Sequence, residues 1–270
     1  MTHDKLGIVG CGTIGSDIAI AVSSGEIGGY VLSGLCEIDD SRAKRLQSRL
    51  DTAAAILEFE ALLEVSDIIF EATNKASMPG IAAKTLSAGK TIVVMSVGGF
   101  VDAPEIVDMA DKSGGKLFFP SGAICGVDGL LAAREAGLTS VRITTTKNPK
   151  SLRGAPYLEN HDISVDGLST AVTIFEGSAR EAIDAFPANT NVSITLSLAG
   201  LGIDGTEVRI VADPSCKRTK HEILAEGDFG SIRTITEGKV APSNPRTGYL
   251  AILSAKATLR KISSRNRVGT

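Results

Sequence analysis

The sequence predicts an α/β chain in two parts, a parallel sheet covered on both faces followed by an α+β domain built on a mixed sheet. Two observations carry this. From Lys5 to about Phe119, short β-branched runs alternate with helical stretches, the rhythm of βαβ units. Beyond about Pro120, strand-like segments follow one another with few helices between them, which fits a mixed sheet with helices on one face.

The first element is the apolar run Leu6-Gly7-Ile8-Val9, which leads into Gly10-Cys11-Gly12-Thr13-Ile14-Gly15 and then an amphipathic segment from Ser16 to Ser23. A Gly-x-Gly-x-x-Gly pattern says little alone, but between a strand and a helix it is the fingerprint of a Rossmann dinucleotide-binding domain. Gly10 permits the tight turn, Gly12 lets the backbone approach a pyrophosphate, and Gly15 lets the helix pack against the strand. A diphosphate would lie on unpaired amides at the helix N-terminus, so Gly10, Gly12, Thr13, Ile14 and Gly15 are candidate cofactor contacts.

The next strand, Tyr30 to Cys36, ends at Glu37, about twenty residues past the last glycine, where a carboxylate meets the adenosine ribose. Glu37 favours NAD because it repels a 2′-phosphate, while Arg42 lies near enough in sequence to allow some NADP use. The expected cofactor is therefore NAD or NADP. Asp39 and Asp40 suit the cap of the following helix, Ser41 to Leu50.

A strand over Asp67 to Ala72, a helix over Ala76 to Ala88, a strand over Thr91 to Met95 and a helix over Ala103 to Ser113 complete the first part. The unbroken apolar run Ile92 to Met95 implies burial on both faces. In the second part strands are expected at Val141–Thr146, Ala171–Phe175, Glu207–Val211, Glu222–Ala225 and Ser231–Thr236. The last alternates polar and apolar residues as a half-buried antiparallel strand does. Helices are expected at Ala179–Phe186 and Val192–Leu201, and a final one from about Gly248 to Lys261 after a break at Asn244-Pro245. The division expected is 1–119 for the dinucleotide domain, 120–241 for a substrate and dimerisation domain, and 242–270 for a helix returning to the first.

A formal net charge of −3 offers no basic surface for nucleic acid, and the locally basic stretch Lys256 to Arg267 reads as a solvated helix end. No apolar stretch reaches membrane length uninterrupted, and Asp4 and Lys5 do not fit a signal peptide, so the expectation is a cytoplasmic protein without membrane partners. Cys11, Cys36, Cys125 and Cys216 are scattered, with no C-x-x-C pair and few histidines, so reduced thiols and no metal site are expected. Gly89-Lys90-Thr91 resembles the end of a P-loop, but Lys84 occupies the upstream glycine position.

Ligands of open parallel sheets sit beyond the strands' C-terminal ends. The segments there are Glu71 to Lys75, Ser96 to Gly99 and Pro120 to Gly126, all small, polar or glycine-rich, with the Ala123 amide placed to hold a nicotinamide carboxamide. Hydride transfer at a carbon bearing oxygen or nitrogen needs a proton-moving partner, and histidine is best matched to neutral pH. His3 is near the terminus, which leaves His161 and His221. Lys147, Arg209, Lys217, Lys220 and Arg246 are candidate anion binders. Cys125 has the position of an aldehyde dehydrogenase nucleophile, but a small buried apolar residue is the preferred reading.

The chain resembles the L-aspartate dehydrogenase family. The likeness runs through the glycine motif, Met95-Ser96-Val97-Gly98-Gly99, Pro120-Ser121-Gly122-Ala123-Ile124, Phe175 to Ala182, Phe186-Pro187-Ala188-Asn189-Thr190-Asn191-Val192, and Leu196 to Gly202. The blocks around Gly177-Ser178-Ala179 and Asn189-Thr190-Asn191 are the most specific. The resemblance implies NAD(P)-dependent oxidative deamination of L-aspartate to iminoaspartate, then oxaloacetate and ammonia, with the reverse amination and a link to NAD biosynthesis. It also implies a homodimer, and it places the catalytic histidine at His221, the cofactor amide contact at Ala123 and the cofactor-binding asparagine at Asn191. Asn189, Lys147, Lys220 and Arg246 are the candidate substrate contacts. Cys125 departs from the small residue many relatives carry. The rival readings are another nicotinamide enzyme, of aspartate-semialdehyde, homoserine or dihydrodipicolinate type, and a non-catalytic NAD(H) sensor.

Overall fold

The computed structural model describes residues 3–187, 191–265, 268 and 269, and the side chains of residues 245 and 246 also lie outside the description. The chain divides into two units, 1–120 with 252–267, and 121–251 with 268–270.

The first unit is the expected parallel α/β sheet. Its elements run β1 (Asp4–Val9), α1 (Thr13–Ser23), β2 (Tyr30–Cys36), α2 (Asp40–Gln47), α3 (Phe59–Val65), β3 (Ile68–Glu71), α4 (Met78–Ser87), β4 (Thr91–Val94), a 3-10 turn (Val97–Val101), α5 (Glu105–Ser113) and β5 (Lys116–Phe118). All pairings are parallel, in the order β2-β1-β3-β4-β5, so the strand order reverses at β1. That reversal opens a crevice beyond the C-terminal ends of β1 and β3. Ile8, Phe70 and Val93, one from each central strand, are fully buried, as a sheet with both faces covered requires.

Local chemistry sets the boundaries. Asp39 caps α2 by accepting from the amides of Ser41 and Arg42. Gly114, with φ +74°, ends α5 in the left-handed conformation. Lys90, from the P-loop-like triplet, donates its ammonium to the carbonyls of Leu63, Glu64 and Ser66 (2.5, 3.1 and 2.7 Å), so it closes the C-terminal end of α3.

The second unit holds α6 (Val127–Arg134), β6 (Leu138–Lys147), a 3-10 turn (Pro149–Ser151), α7 (Pro156–Asn160), β7 (Val172–Ser178), α8 (Ala179–Ala185), α9 (Asn191–Ala199), α10 (Gly202–Gly205), β8 (Thr206–Ala212), β9 (Lys220–Gly227), β10 (Gly230–Glu237), β11 (Val240–Ala241) and β12 (Asn244–Gly248). Its main sheet is mixed, in the order β10-β9-β6-β8-β7, with β6 and β8 parallel and the other pairs antiparallel. Val141, Ile143, Val208, Ile210, Ile223 and Ala225 point from one face into a core completed by Leu130, Ala182 and Leu196 of the helices. The opposite face carries cross-strand pairs, Arg142 with Glu207, Arg209 with Glu176 and Arg233 with Glu222. The break expected at Asn244-Pro245 is instead the short strand β12, paired with β11.

The last helix, α11 (Tyr249–Ser263), enters the first unit at Ile252. There Ala255 and Leu259 join the core of Leu6 and Ile8, and the Tyr30 hydroxyl donates to the Leu259 carbonyl at 2.6 Å. No helix among the described residues is long and apolar enough to cross a membrane.

Candidate active site

In the first unit the glycine loop has the geometry a dinucleotide needs. Gly10 sits at φ +93°, and a Cβ there would meet the Ala72 carbonyl oxygen at 2.5 Å. A Cβ on Gly15 would come within 1.9 Å of the Gly10 carbonyl oxygen, so only glycine lets the first turn of α1 lie over the loop. Gly12 differs, because a Cβ there would meet nothing within 4 Å. Gly12 is also the N-cap of α1, and neither a side-chain cap nor an acidic residue serves that helix's first turn. The turn carrying Thr13, Ile14 and Gly15 therefore offers a favourable end to an anion.

Glu37 faces the same loop. Its carboxylate accepts from the Cys11 amide at 2.8 Å and from the Asp39 amide at 3.2 Å, and pairs with Arg42 at 3.4 Å. Glu37 and Arg42 line a cavity of about 480 Å³ with Gly10, Gly12, Ile38, Thr73, Asn74 and Lys84. Ile38 is fully exposed beside Glu37, an apolar face for an adenine ring. The pocket thus fits an adenine dinucleotide in its glycine turn, its open helix end and its carboxylate. Burial raises the Cys11 thiol to about 12, with the Glu37 carboxylate adding to the effect, so this loop cysteine stays a neutral packing group.

Sequence reading missed one residue beside this pocket. Glu71, expected near the end of a strand where a polar segment emerges, is fully buried. One oxygen accepts from the Thr73 amide and hydroxyl (2.7 and 2.6 Å), the other from the Ser96 amide at 3.1 Å. It fastens the loop after β3 to the loop after β4. Its only sequence signal is a carboxylate ending an otherwise apolar strand.

In the second unit, His221 lies on β9 directly across from Thr145 on β6, with Nδ1 3.0 Å from the Thr145 hydroxyl. The imidazole is nearly buried, and burial together with the Lys147 ammonium pushes its pKa down to about 4. It is therefore a neutral base at physiological pH. Lys147, two residues from Thr145, belongs to the same sheet face, and its own pKa is lowered by burial. Lys220 adjoins His221 on β9, so strand alternation turns it to the opposite face, where its charge acts on Asp213 and Cys216.

Ala123 lies in the same neighbourhood. Thr236, paired with His221 in register, donates its hydroxyl to the Ala123 carbonyl at 3.1 Å and approaches the His221 carbonyl at 3.5 Å. Gly122 lies against the start of α9, within 3.8 Å of Val192 for an added Cβ, beside Asn191. Asn189 lies outside the described residues, as does the side chain of Arg246.

His161 stands elsewhere, exposed, its ring stacked on Tyr157 at 4.1 Å. Cys125 is exposed, which corrects the expectation of a small buried residue. The cause is local: its carbonyl receives the Thr234 hydroxyl and Gly126, at φ +85°, turns the chain into α6, so the thiol faces outward. The specific Gly177-Ser178-Ala179 motif is architectural. Ser178 and Glu181 form a capping box on α8, and a Cβ on Gly177 would strike the Glu181 carboxylate. No cluster of three or more potential metal ligands exists among the described residues.

Comparison with known proteins fits this geometry. Residues 10–120 match the model described as homoserine dehydrogenase, NAD binding domain, and residues 128–262 match aspartate dehydrogenase, C-terminal. The chain is 43% identical to an L-aspartate dehydrogenase of Methanosarcina mazei over 98% of its length and 99% of the relative's, and 37% identical to one from Bradyrhizobium diazoefficiens over 98% and 94%. Among solved structures, an aspartate dehydrogenase of Thermotoga maritima matches with a TM-score of 0.78 at 25% identity, over 99% of this chain and 100% of that one. Identity at this level over nearly the whole length, on the same two architectures, establishes that the chain belongs to the aspartate dehydrogenase family.

Proposed function

We propose that the protein oxidises L-aspartate with NAD(P), giving iminoaspartate and then oxaloacetate and ammonia, and that it runs the reverse amination. The observation that carries this reading is the buried, neutral His221, in a chain that is 43% identical to an L-aspartate dehydrogenase over 98% of its length.

When bound, NAD(P) supplies the oxidant, accepting the substrate Cα hydrogen as hydride. The protein has three tasks. The glycine loop and Glu37 would hold the adenosine and diphosphate, and the family resemblance makes Ala123 and Asn191 cofactor contacts as well. His221 takes a proton from the substrate ammonium, which frees the nitrogen lone pair that forms the imine as hydride leaves. It then assists the water that adds to the imine carbon, and ammonia departs as the carbonyl forms. The sum is aspartate, NAD(P)⁺ and water going to oxaloacetate, ammonium and NAD(P)H with release of one proton. A base held below the usual histidine range is unprotonated across neutral pH, as this step requires.

Lys147 is the favoured partner for a substrate carboxylate because it shares the face of His221. Asn189, from the shared asparagine motif, and Arg246, as a cation for the dicarboxylate, are kept as further contacts. We also place the enzyme in the cytoplasm, where its four free thiols stay reduced, as a homodimer, with iminoaspartate available to NAD biosynthesis. Following reduced-cofactor absorbance with aspartate, homoserine, dihydrodipicolinate and aspartate semialdehyde plus phosphate tests the reading. Turnover on aspartate is expected, and cofactor binding without turnover on any of them would instead reveal a sensor.

A further inference from the structure

Resting on the reading above, we infer that Thr145 is a positioning residue for the reaction: its hydroxyl holds Nδ1 of His221 so that Nε2 is the atom presented to substrate.

The geometry is built, not incidental. Thr145 and His221 are cross-strand partners between β6 and β9, and their side chains meet at 3.0 Å on the helix-covered face of the sheet. Thr145 is 2% exposed and His221 8%, so water does not compete for this contact. The neighbours on both sides in the sheet are uncharged, Thr145 on β6 and Thr236 on β10, and among the described residues the charged group acting on the ring is Lys147 of β6.

A hydroxyl suits this task better than a carboxylate. As acceptor from Nδ1–H it keeps the same bond whether Nε2 is bare or protonated, so no rearrangement accompanies proton uptake from the substrate ammonium. The proton arriving at Nε2 leaves the Nδ1 proton in place, and the ring becomes imidazolium with its hydrogen bond intact. A carboxylate at this position would instead stabilise the imidazolium strongly, raising the base's pKa against the combined effect of burial and Lys147.

The test compares Thr145→Val, which keeps the shape and removes the acceptor, with Thr145→Ser, which keeps the acceptor. For Thr145→Val, kcat on aspartate is expected to fall about tenfold or more while the Kd for NADH holds. The acid limb of its pH profile should move to lower pH, because the imidazolium has lost its partner. Thr145→Ser should restore both. In the wild-type enzyme with NADH bound, ¹⁵N-labelled imidazole spectra should show the Nδ1–H tautomer for His221, assigned by its loss in His221→Ala, which keeps the question decidable should the valine variant not fold. Wild-type kcat and an unmoved acid limb in Thr145→Val, or an Nε2–H tautomer, would overturn the role, and so would a loss of kcat without serine rescue. Turnover retained by His221→Ala would instead overturn the aspartate reading itself.

Discussion

The glycine loop of the first unit and the His221 pocket of the second are built in opposite ways. The glycine motif is six consecutive residues running from the end of β1 into the first turn of α1, and its shape follows from backbone: positive φ at Gly10, contact at Gly15, open space at Gly12. The His221 pocket joins side chains 76 residues apart in sequence, on β6 and β9, with a loop fastened by Thr236. A site made of consecutive backbone is visible in a string of letters. A site made of side chains across a sheet is visible only once the register is known.

Replacing His221 by alanine gives the widest separation between the two regions. Turnover of aspartate should fall by about a thousandfold, in the range general acid–base catalysis supplies, while NADH binding measured by fluorescence titration stays near wild type. Equal loss of both would erase the distinction drawn here.

The same residue leaves a mark on stability. Its folded pKa of about 4 lies below the unfolded 6.5, so between these values the unfolded chain binds more protons. This contribution is complete above pH 6.5 and is lost as pH falls toward 4, by about 2–3 kcal/mol. Urea midpoints of His221→Gln should therefore drop less between pH 7 and 4.5 than those of wild type, and an identical drop would show that the ring titrates normally.

Within the loop, Gly12→Ala and Gly15→Ala divide binding from folding. The Gly12 variant should keep its melting temperature and bind NADH about tenfold to a hundredfold more weakly, since the added methyl meets no protein atom within 4 Å and only a nucleotide could feel it. The Gly15 variant should lose stability as well, because the methyl collides with the Gly10 carbonyl. Unchanged binding in the Gly12 variant would remove the diphosphate from that helix end.

The smallest effect is expected at Glu37, already engaged by the Cys11 amide and Arg42. Glu37→Gln should shift the NADP-to-NAD ratio of kcat/KM several-fold toward NADP, about 1 kcal/mol, as the charge opposing a 2′-phosphate disappears. A ratio that does not move would place discrimination elsewhere in the pocket.

The parallel sheet, the glycine turn, Glu37 at the end of β2 and the mixed second sheet were legible because each is written in local periodicity or a short spacing. The short helices α3 and α6 and the β11–β12 ribbon were not, since their apolar patterns are too brief to stand out from turns. His221 and His161 looked equivalent as bare residues, and only the family resemblance separated them. In the folded chain the difference is physical, one ring being buried against Thr145 and the other exposed on Tyr157.

By itself, then, the sequence marked the N-terminal turn as a dinucleotide site, because such a site depends on where a Cβ is absent, and absence is readable residue by residue. Tertiary structure decided which cation shares the histidine's face. Lys147 does and Lys220 does not, because alternation along paired strands sends neighbours to opposite sides. It also decided that Glu71 is a buried clamp, that Ser178 and Glu181 cap a helix, and that Thr145 meets His221. Each of these depends on register and burial, which emerge only when distant segments pack.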